Sequence, residues 1–519
     1  MASVSDILKT YEDDIVHCIF FIIMFTIPII ITIRLMNAFS DPDIWWHLRT
    51  GQWILENKTV PAVDPFSQHH VPWVAYSWLF EILIYGMYNL FGLTGFGIYL
   101  LLMAVAITFS LYTLLKNQSI SSTFAAFLTA VGIIAISRNL NVRSYLFSIL
   151  FSIILLQVLM KVRESGQMKK LILLPPVFAL WANLHIQFVY GFMIYFLFAV
   201  EVAGLCYVSK KEDSDIQRTR MHWMLSIGAA CFLATLANPY HVFIYRPFVE
   251  ILAEPGFYNH ISELHSLGFR HLADWMVLFI FMGAVYSIGK NQTHRPFLLL
   301  LILAASFISF RSIRDVWLVV ISGLTIIAYN ISRRQPDNDV LRYKKIPVRV
   351  VSGLGTVLSL FICWNCYALS NASIHQHIAE NYPEKATQFI KKNNLSGPLY
   401  NHFNWGGYLI WHLPELPVSI DGRTNVCGYD NFLSSINTFN AKSDWNKDPQ
   451  LLNTGTIVTS PEWALTSLLR KDGRFKIAYE DKVALVFVRS DIKHQPFLKP
   501  MTTDNPIYSQ KTTLTRSVP

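Results

Sequence analysis

Long stretches without a charged side chain recur along this chain, and they decide what it can fold into. Residues 15–33 contain no Asp, Glu, Lys or Arg. A helix needs about 20 such residues to cross the hydrocarbon core of a membrane. Similar stretches follow at 95–115, 121–137, 144–160, 171–185, 187–208, 223–239, 273–289, 296–310, 315–331 and 350–370. With 53% hydrophobic and only 15% charged residues, the chain is not an ordinary soluble enzyme. It reads as a mainly α polytopic membrane protein of about 11 transmembrane helices. Segment 78–92 is also apolar but short, and it contains Glu81. It reads as a helix lying on the membrane.

The charges support this count. Lys116, Lys161, Arg163, Lys169, Lys170, Lys210, Lys211, Arg218, Arg220, Lys290, Arg295, Arg333 and Arg334 all fall on one side, which the positive-inside rule makes cytoplasmic. Treating 78–92 as a span would export most of them. The net charge of +9 is thus topological, and no nucleic-acid-binding motif accompanies it. Residues 1–14 carry four acids and one Lys, unlike a cleavable signal peptide. The first span therefore reads as a retained anchor with a cytoplasmic N-terminus.

Three regions are expected: a transmembrane module at 1–370 with an outer loop at 37–94, a small extracytoplasmic α/β domain at 371–495, and an irregular tail at 496–519. In the α/β domain the patterns predict a helix near 383–392. Strands are predicted near 398–401, 407–411, 417–420 and 483–488. Cys363-Trp364-Asn365-Cys366 lies in an apolar run and reads as helix packing rather than a redox pair. Six scattered cysteines give no disulfide framework.

The outer side collects polar residues. Asp41-Pro42-Asp43-Ile44-Trp45-Trp46-His47 follows the first span. It is a good helix start, with Asp as cap and Pro in the first turn. It also places two carboxylates at a membrane boundary, where ionisable groups often belong to a reaction site. Asp41 is better placed to cap, and Asp43 to do chemistry. His47 shares the Asp43 face one turn on. Trp45 and Trp46 read as interface anchors, and Asp64-Pro65 as a turn.

Further outer turns hold Arg138, Arg143, Asn183, His185, Glu263, Arg311 and Arg314. The four arginines oppose the positive-inside trend. They suit an anionic ligand, because a guanidinium fork binds phosphate bidentately and keeps its charge. Headgroup binding is the simpler alternative for each. Asn183 and His185 equally suit backbone groups freed by Pro175-Pro176.

Taken together, these motifs resemble the GT-C superfamily of membrane glycosyltransferases. The carriers are Asp41 to Gly51, Asp64-Pro65-Phe66-Ser67, Trp73 to Trp78, Trp181 to His185 and Asn238-Pro239-Tyr240. In the tail they are Asn404-Trp405-Gly406-Gly407-Tyr408-Leu409 and Asp421-Gly422-Arg423 to Gly428. The match is specific for a bacterial subgroup and covers nearly the whole chain. It implies a bacterial inner-membrane enzyme that moves a sugar from a polyprenyl-phosphate donor to an acceptor at the outer face. Asp43 or Asp41 would be the general base. Arg138, Arg143, Arg311 and Arg314 would be candidates for the lipid phosphate, with His185, Asn183, His47 and Glu263 nearby. The subgroup usually has Arg-Pro where this chain has Arg143-Ser144.

No cofactor is required by the resemblance. Some relatives hold a divalent metal at the acidic motif and others do not, so Asp41 and Asp43 are the metal candidates. Trp405, Tyr408, Asp421 and Arg423 are candidates for the acceptor. Trp405, Tyr408 and Trp411 suit stacking on sugar faces, whereas tight turns and a local ion pair explain the same glycines and Asp421-Gly422-Arg423 structurally. Two other classes fit the chain: a flippase for a lipid-linked glycan, with Pro175-Pro176 as its broken helix, and a non-catalytic scaffold whose outer domain binds a partner.

Overall fold

The computed structural model describes residues 41–208, 214–293, 295–333 and 371–490. The expected spans at 15–33 and 350–370 lie outside these residues. The described chain is mostly helical, with one small sheet. Its described residues divide into two compact units: one within 74–374, the other from 41–73 together with 375–490. The second unit opens with helix α1 (Asp43–Asn57).

The first unit begins with α2 (Trp78–Phe91), α3 (Thr94–Lys116), α4 (Ser122–Ala135), α5 (Tyr145–Ser165), α6 (Leu174–Leu184) and α7 (Phe188–Val208). It continues with α8 (Ser214–Thr235), α9 (Arg246–Ala253), α10 (Leu272–Lys290), α11 (Pro296–Arg311) and α12 (Val316–Ser332). Five stretches are long and apolar enough to cross a membrane: Thr94–Lys116, Tyr145–Ser165, Phe188–Val208, Leu272–Lys290 and Ile313–Ser332. Trp78–Phe91, Ser122–Ala135 and Pro296–Arg311 are apolar but shorter.

Helix α12 is buried on nearly every face, as a helix that is apolar all round should be. Its Gly323 lets α10 come close, since a Cβ there would sit 2.8 Å from Ile280 Cγ2. Small residues permit this kind of approach between apolar helices, where dispersion replaces the hydrophobic effect. Pro175 and Pro176 do not break a helix. They stand in the first turn of α6, behind a 3-10 turn at Met168–Leu173. A missing N–H costs nothing there. Asn183 and His185 consequently have other partners, described below.

In the second unit, α13 (Asn371–Asn381) and α14 (Glu384–Lys392) precede β1 (Leu399–Asn401). The helix expected at 383–392 is therefore present. Glu384 lies in its first turn and Lys391 and Lys392 in its last, matching the helix dipole. Then come α15 (Phe403–His412), α16 (Thr424–Phe439), α17 (Pro449–Leu452), β2 (Thr456–Thr459), α18 (Ala464–Leu469), β3 (Phe475–Glu480) and β4 (Leu485–Arg489).

The sheet order is β1-β2-β4-β3. β1 pairs parallel with β2, and the other pairs are antiparallel. Tyr400, Phe439, Leu451, Ile457, Leu465, Phe475, Leu485 and Phe487 form its core with their neighbours.

Residues 407–411 belong to α15 rather than to a strand. His402 accepts the Asn404 N–H at 3.3 Å. Trp405, Tyr408, Leu409 and His412 then recur at helical spacing. Residues 417–420 make only isolated bridges, through Val418 to Ser67 and Leu399. That bridge is one reason why 40–73 group with the C-terminal residues instead of forming part of a single 37–94 loop. Val418 N–H donates to Phe66 O at 3.2 Å, and Gln68 N–H donates to Val418 O at 3.0 Å.

Candidate functional site

The acidic motif belongs to the second unit. Asp41 Oδ1 accepts the Asp43 N–H at 3.1 Å, closing the turn that starts α1. Asp43 and His47 are buried, at 8% and 3% exposure. Trp45 and Trp46 are buried too, which corrects their expected role as interface anchors. Trp45 meets Tyr408 edge-on at 5.1 Å and Tyr382 at 5.8 Å. Trp46 stacks on His47 at 3.6 Å and meets Trp73 edge-on.

The tail motifs build the surroundings of Asp43. A Cβ on Gly407 would sit 2.6 Å from Pro42 O, so glycine lets α15 lie against the start of α1. A Cβ on Gly422 would overlap the Asp43 carboxylate itself. Next to Gly422 lies a buried ion triad. Arg423 donates from Nε and Nη2 to Asp421 at 2.8 and 2.7 Å, and from Nη1 to Asp64 at 2.6 Å. The guanidinium lies over Trp73 at 4.7 Å and Phe66 at 5.2 Å. Asp64 also accepts the N–H groups of Phe66 and Ser67 and the Ser67 hydroxyl.

Burial pushes the Asp64 carboxyl up, but the Arg423 charge and these hydrogen bonds outweigh it and hold the carboxyl below its ordinary value. The expected turn at Asp64-Pro65 is therefore also an anchor reaching 359 residues along the chain. Asp421 and Arg423 spend their donors and acceptors on this triad. Trp405 is 7% exposed and Tyr408 is fully buried. Trp405 Nε1 donates to Asn381 O at 3.1 Å, and the Tyr408 ring stacks on Tyr382 at 4.9 Å. These four residues thus form the interior wall around α1, which corrects the expectation of rings open to a sugar.

Arg138, Arg143, Asn183, His185, Glu263, Arg311 and Arg314 all belong to the first unit. Three turns are tied together there. Asn139 Nδ2 donates to Ile313 O and Arg314 O at 3.2 and 3.0 Å. Ile313 N–H donates to His265 O at 2.9 Å. Arg143 pairs with Glu263 at 3.0 Å and Arg138 with Asp274 at 2.9 Å. The Arg143 charge holds the Glu263 carboxyl below its ordinary value against its burial, and Arg314 adds to this.

Arg314 lies over Tyr145 at 5.8 Å, with Nη2 3.5 Å from His185 Nε2. His185 Nδ1 is 2.8 Å from Ser148 Oγ, which also accepts from Trp181 Nε1. Asn183 is structural, receiving Trp78 Nε1 at 2.8 Å and donating to Ala179 O and Ala237 O. Arg311 is exposed and lies over Tyr258 at 4.4 Å.

Sequence reasoning missed Asp274 as the partner of Arg138. An acid in the first turn of an apolar helix was the signal. Gln187 and Asp315 lie in two of the polar turns, and their pairing, Gln187 Nε2 donating to Asp315 at 2.7 Å, was not foreseen. Among the described residues no group of three or more His, Cys, Asp or Glu side chains is placed to hold a metal ion. Asp64 and Asp421 are committed to Arg423. Comparison with known proteins gives no matching family model and no matching curated relative.

Proposed function

We propose that this chain is an integral-membrane glycosyltransferase that moves a sugar from a polyprenyl-phosphate donor to an acceptor at the outer face of the bacterial inner membrane. It has about 11 spans in the GT-C manner, its N-terminus is cytoplasmic and the α/β part is extracytoplasmic. The observation that carries this reading is the uneven pairing of the arginines. Arg138 and Arg143 have carboxylate partners, while Arg311 and Arg314 have none within ion-pair distance among the described residues.

Arg314 lies close to His185, and its Nε is buried without a hydrogen-bond partner. A buried cationic donor without a partner is costly, and a phosphate oxygen would satisfy it. In the reaction the acceptor hydroxyl attacks the anomeric carbon and the bond to the phosphate oxygen breaks. The acceptor proton goes to a carboxylate base, for which Asp43 is the candidate that the resemblance implies, and guanidinium groups stabilise the departing lipid phosphate.

The two roles are tested separately with purified donor and acceptor in proteoliposomes. Asp43→Asn should lower transfer by about 10²- to 10⁴-fold, the usual contribution of a general base, with donor binding retained. Arg314→Gln should weaken donor binding. Unchanged turnover in Asp43→Asn would remove Asp43 from the mechanism. The position of Pro175 and Pro176 in a helix start leaves the flippase reading without its broken helix.

A further inference from the structure

A second cluster of arginines lies at the other end of α5. Arg143 precedes the helix and Arg163 is in its last turn, so about 30 Å of helix separates them at 1.5 Å per residue. The Arg163 side chain is only 8% exposed. Its Nε bonds to Glu201 at 3.1 Å. Its Nη1 and Nη2 are buried without any hydrogen-bond partner. Glu201 is occupied on its other oxygen by the Phe297 N–H at 3.0 Å.

Two more guanidiniums are within electrostatic reach of Arg163, those of Arg295 and Arg333. Arg163 and Arg333 lie over the same ring, that of Tyr329, at 5.0 and 4.6 Å. Beside them is a cleft of about 360 Å³. It is lined by Asn291, Gln292, Thr293, Arg295, Tyr329, Asn330 and Arg333. Asn330 fixes the wall: its Oδ1 accepts the Thr293 hydroxyl and its O accepts Asn291 Nδ2, each at 2.7 Å.

The charges do not balance. Glu201 is the one carboxylate paired with Arg163 among the described residues, and exposed Glu164 is the other acid whose field reaches this cluster. Among the described residues three guanidiniums thus face two carboxylates, and two nitrogens of Arg163 have no partner. Such an excess of positive charge is costly unless an anion supplies the missing charge. The cleft also sits at the ends of α10 and α12, both within stretches long and apolar enough to cross a membrane. Headgroups of anionic lipids are found at this level, and basic pockets between helix ends hold them.

We propose that this cleft binds the phosphate group of an anionic membrane lipid. Arg295 and Arg333 contact the phosphate oxygens, Gln292 supplies an amide contact, and Arg163 contributes buried positive charge. The site is separate from the outer-face cluster and stands whether or not the chain transfers sugar.

The test uses the full-length protein in detergent. Native mass spectrometry would compare dioleoylphosphatidylglycerol with dioleoylphosphatidylcholine, and calorimetry would titrate sodium phosphate. Phosphatidylglycerol should be retained selectively. The double variant Arg295→Gln/Arg333→Gln should weaken it by roughly tenfold or more, the usual effect of losing a charge-assisted hydrogen bond. Arg333→Lys should fall between the two, because Lys keeps the charge but not the fork. Both substituted side chains lie at the cleft surface, and a thermal melt of each variant checks the fold. Competition by inorganic phosphate against phosphatidylglycerol supports the phosphate contact. Phosphate binding without phosphatidylglycerol binding overturns the lipid assignment. Equal retention of the two lipids, or unchanged affinity in the folded double variant, overturns the site.

Discussion

Replacing Arg423 by Met tests whether the buried triad holds the acidic helix in place. Arg423, Asp64 and Asp421 have side-chain exposures of 1%, 0% and 2%. The substitution removes three short charge-assisted hydrogen bonds and two cation–π contacts. It leaves two carboxylates buried without their cation. Breaking a buried pair in this way costs about 3–5 kcal/mol. That corresponds to roughly 10²- to 10⁴-fold loss of hydrogen-exchange protection in α1 and β1, read by mass spectrometry on the full-length protein.

The pH dependence carries the sign. In the native protein Asp64 is held below its ordinary value. Its contribution is therefore present above the unfolded value of about 3.9 and is lost as pH falls through the lower folded value. In Arg423→Met the countercharge is gone and burial dominates, so the Asp64 carboxyl moves up. Protection in the variant, relative to the native protein at the same pH, should then rise as pH falls from about 7 to about 5. Adding Asp64→Asn and Asp421→Asn should recover most of the loss, since a neutral buried set needs no cation. Equal pH slopes for native protein and variant, or protection unchanged within twofold, would refute the triad as an anchor.

Gly422→Ala should displace the Asp43 carboxylate, because the added Cβ would overlap it. Overpacking of this kind costs about 1–3 kcal/mol. Transfer should fall as in Asp43→Asn, and retained activity would show that Asp43 can be moved without consequence. His402 and His412 are each pushed down to about 4, both by burial, with Lys391 adding to the shift at His412. The unfolded chain takes up protons near 6.5 while the fold does not. Stability should therefore be lost as pH falls from about 6.5 to about 4, by up to about 3 kcal/mol for each residue. His412→Phe should flatten part of that slope in thermal melts. It would keep the ring beside Tyr408 at 4.1 Å and remove a buried Nε2 that has no partner.

Much of the helical layout was legible because apolar periodicity and length depend only on local sequence. Nine of the expected spans fall on described helices, and the short segment with Glu81 is helix α2. Strands in the second unit were harder to place. Residues 407–411 look extended because Gly406-Gly407 depresses helix propensity, yet the His402 cap and a helical apolar stripe override it. β2 was missed since it gains its stability from partners far along the chain, and β3 since only its hairpin with β4 makes it a strand. Thr456 pairs with Val488, for example, and Phe475 with Arg489.

The acidic motif shows why motifs alone mislead about roles. Asp41-Pro42-Asp43 announces a helix start, and Asp41 does close that turn. Trp45 and Trp46 look like membrane anchors by composition, but Tyr382, Tyr408 and Trp73 claim them. Asp421-Gly422-Arg423 looks like a turn with a local ion pair, and the local pair exists. Its second carboxylate, Asp64, belongs to a different stretch of chain, and its glycine is required by a third, Asp43. One side chain thus depends on residues about 380 positions away, and no spacing rule reaches that far. The same closeness explains why the tail glycines matter for Asp43: glycine is the residue that admits its carboxylate at 422 and the helix start at 407. If Asp43 is the base, the tail acts on the reaction by fixing where that carboxylate stands, and not by touching the sugar.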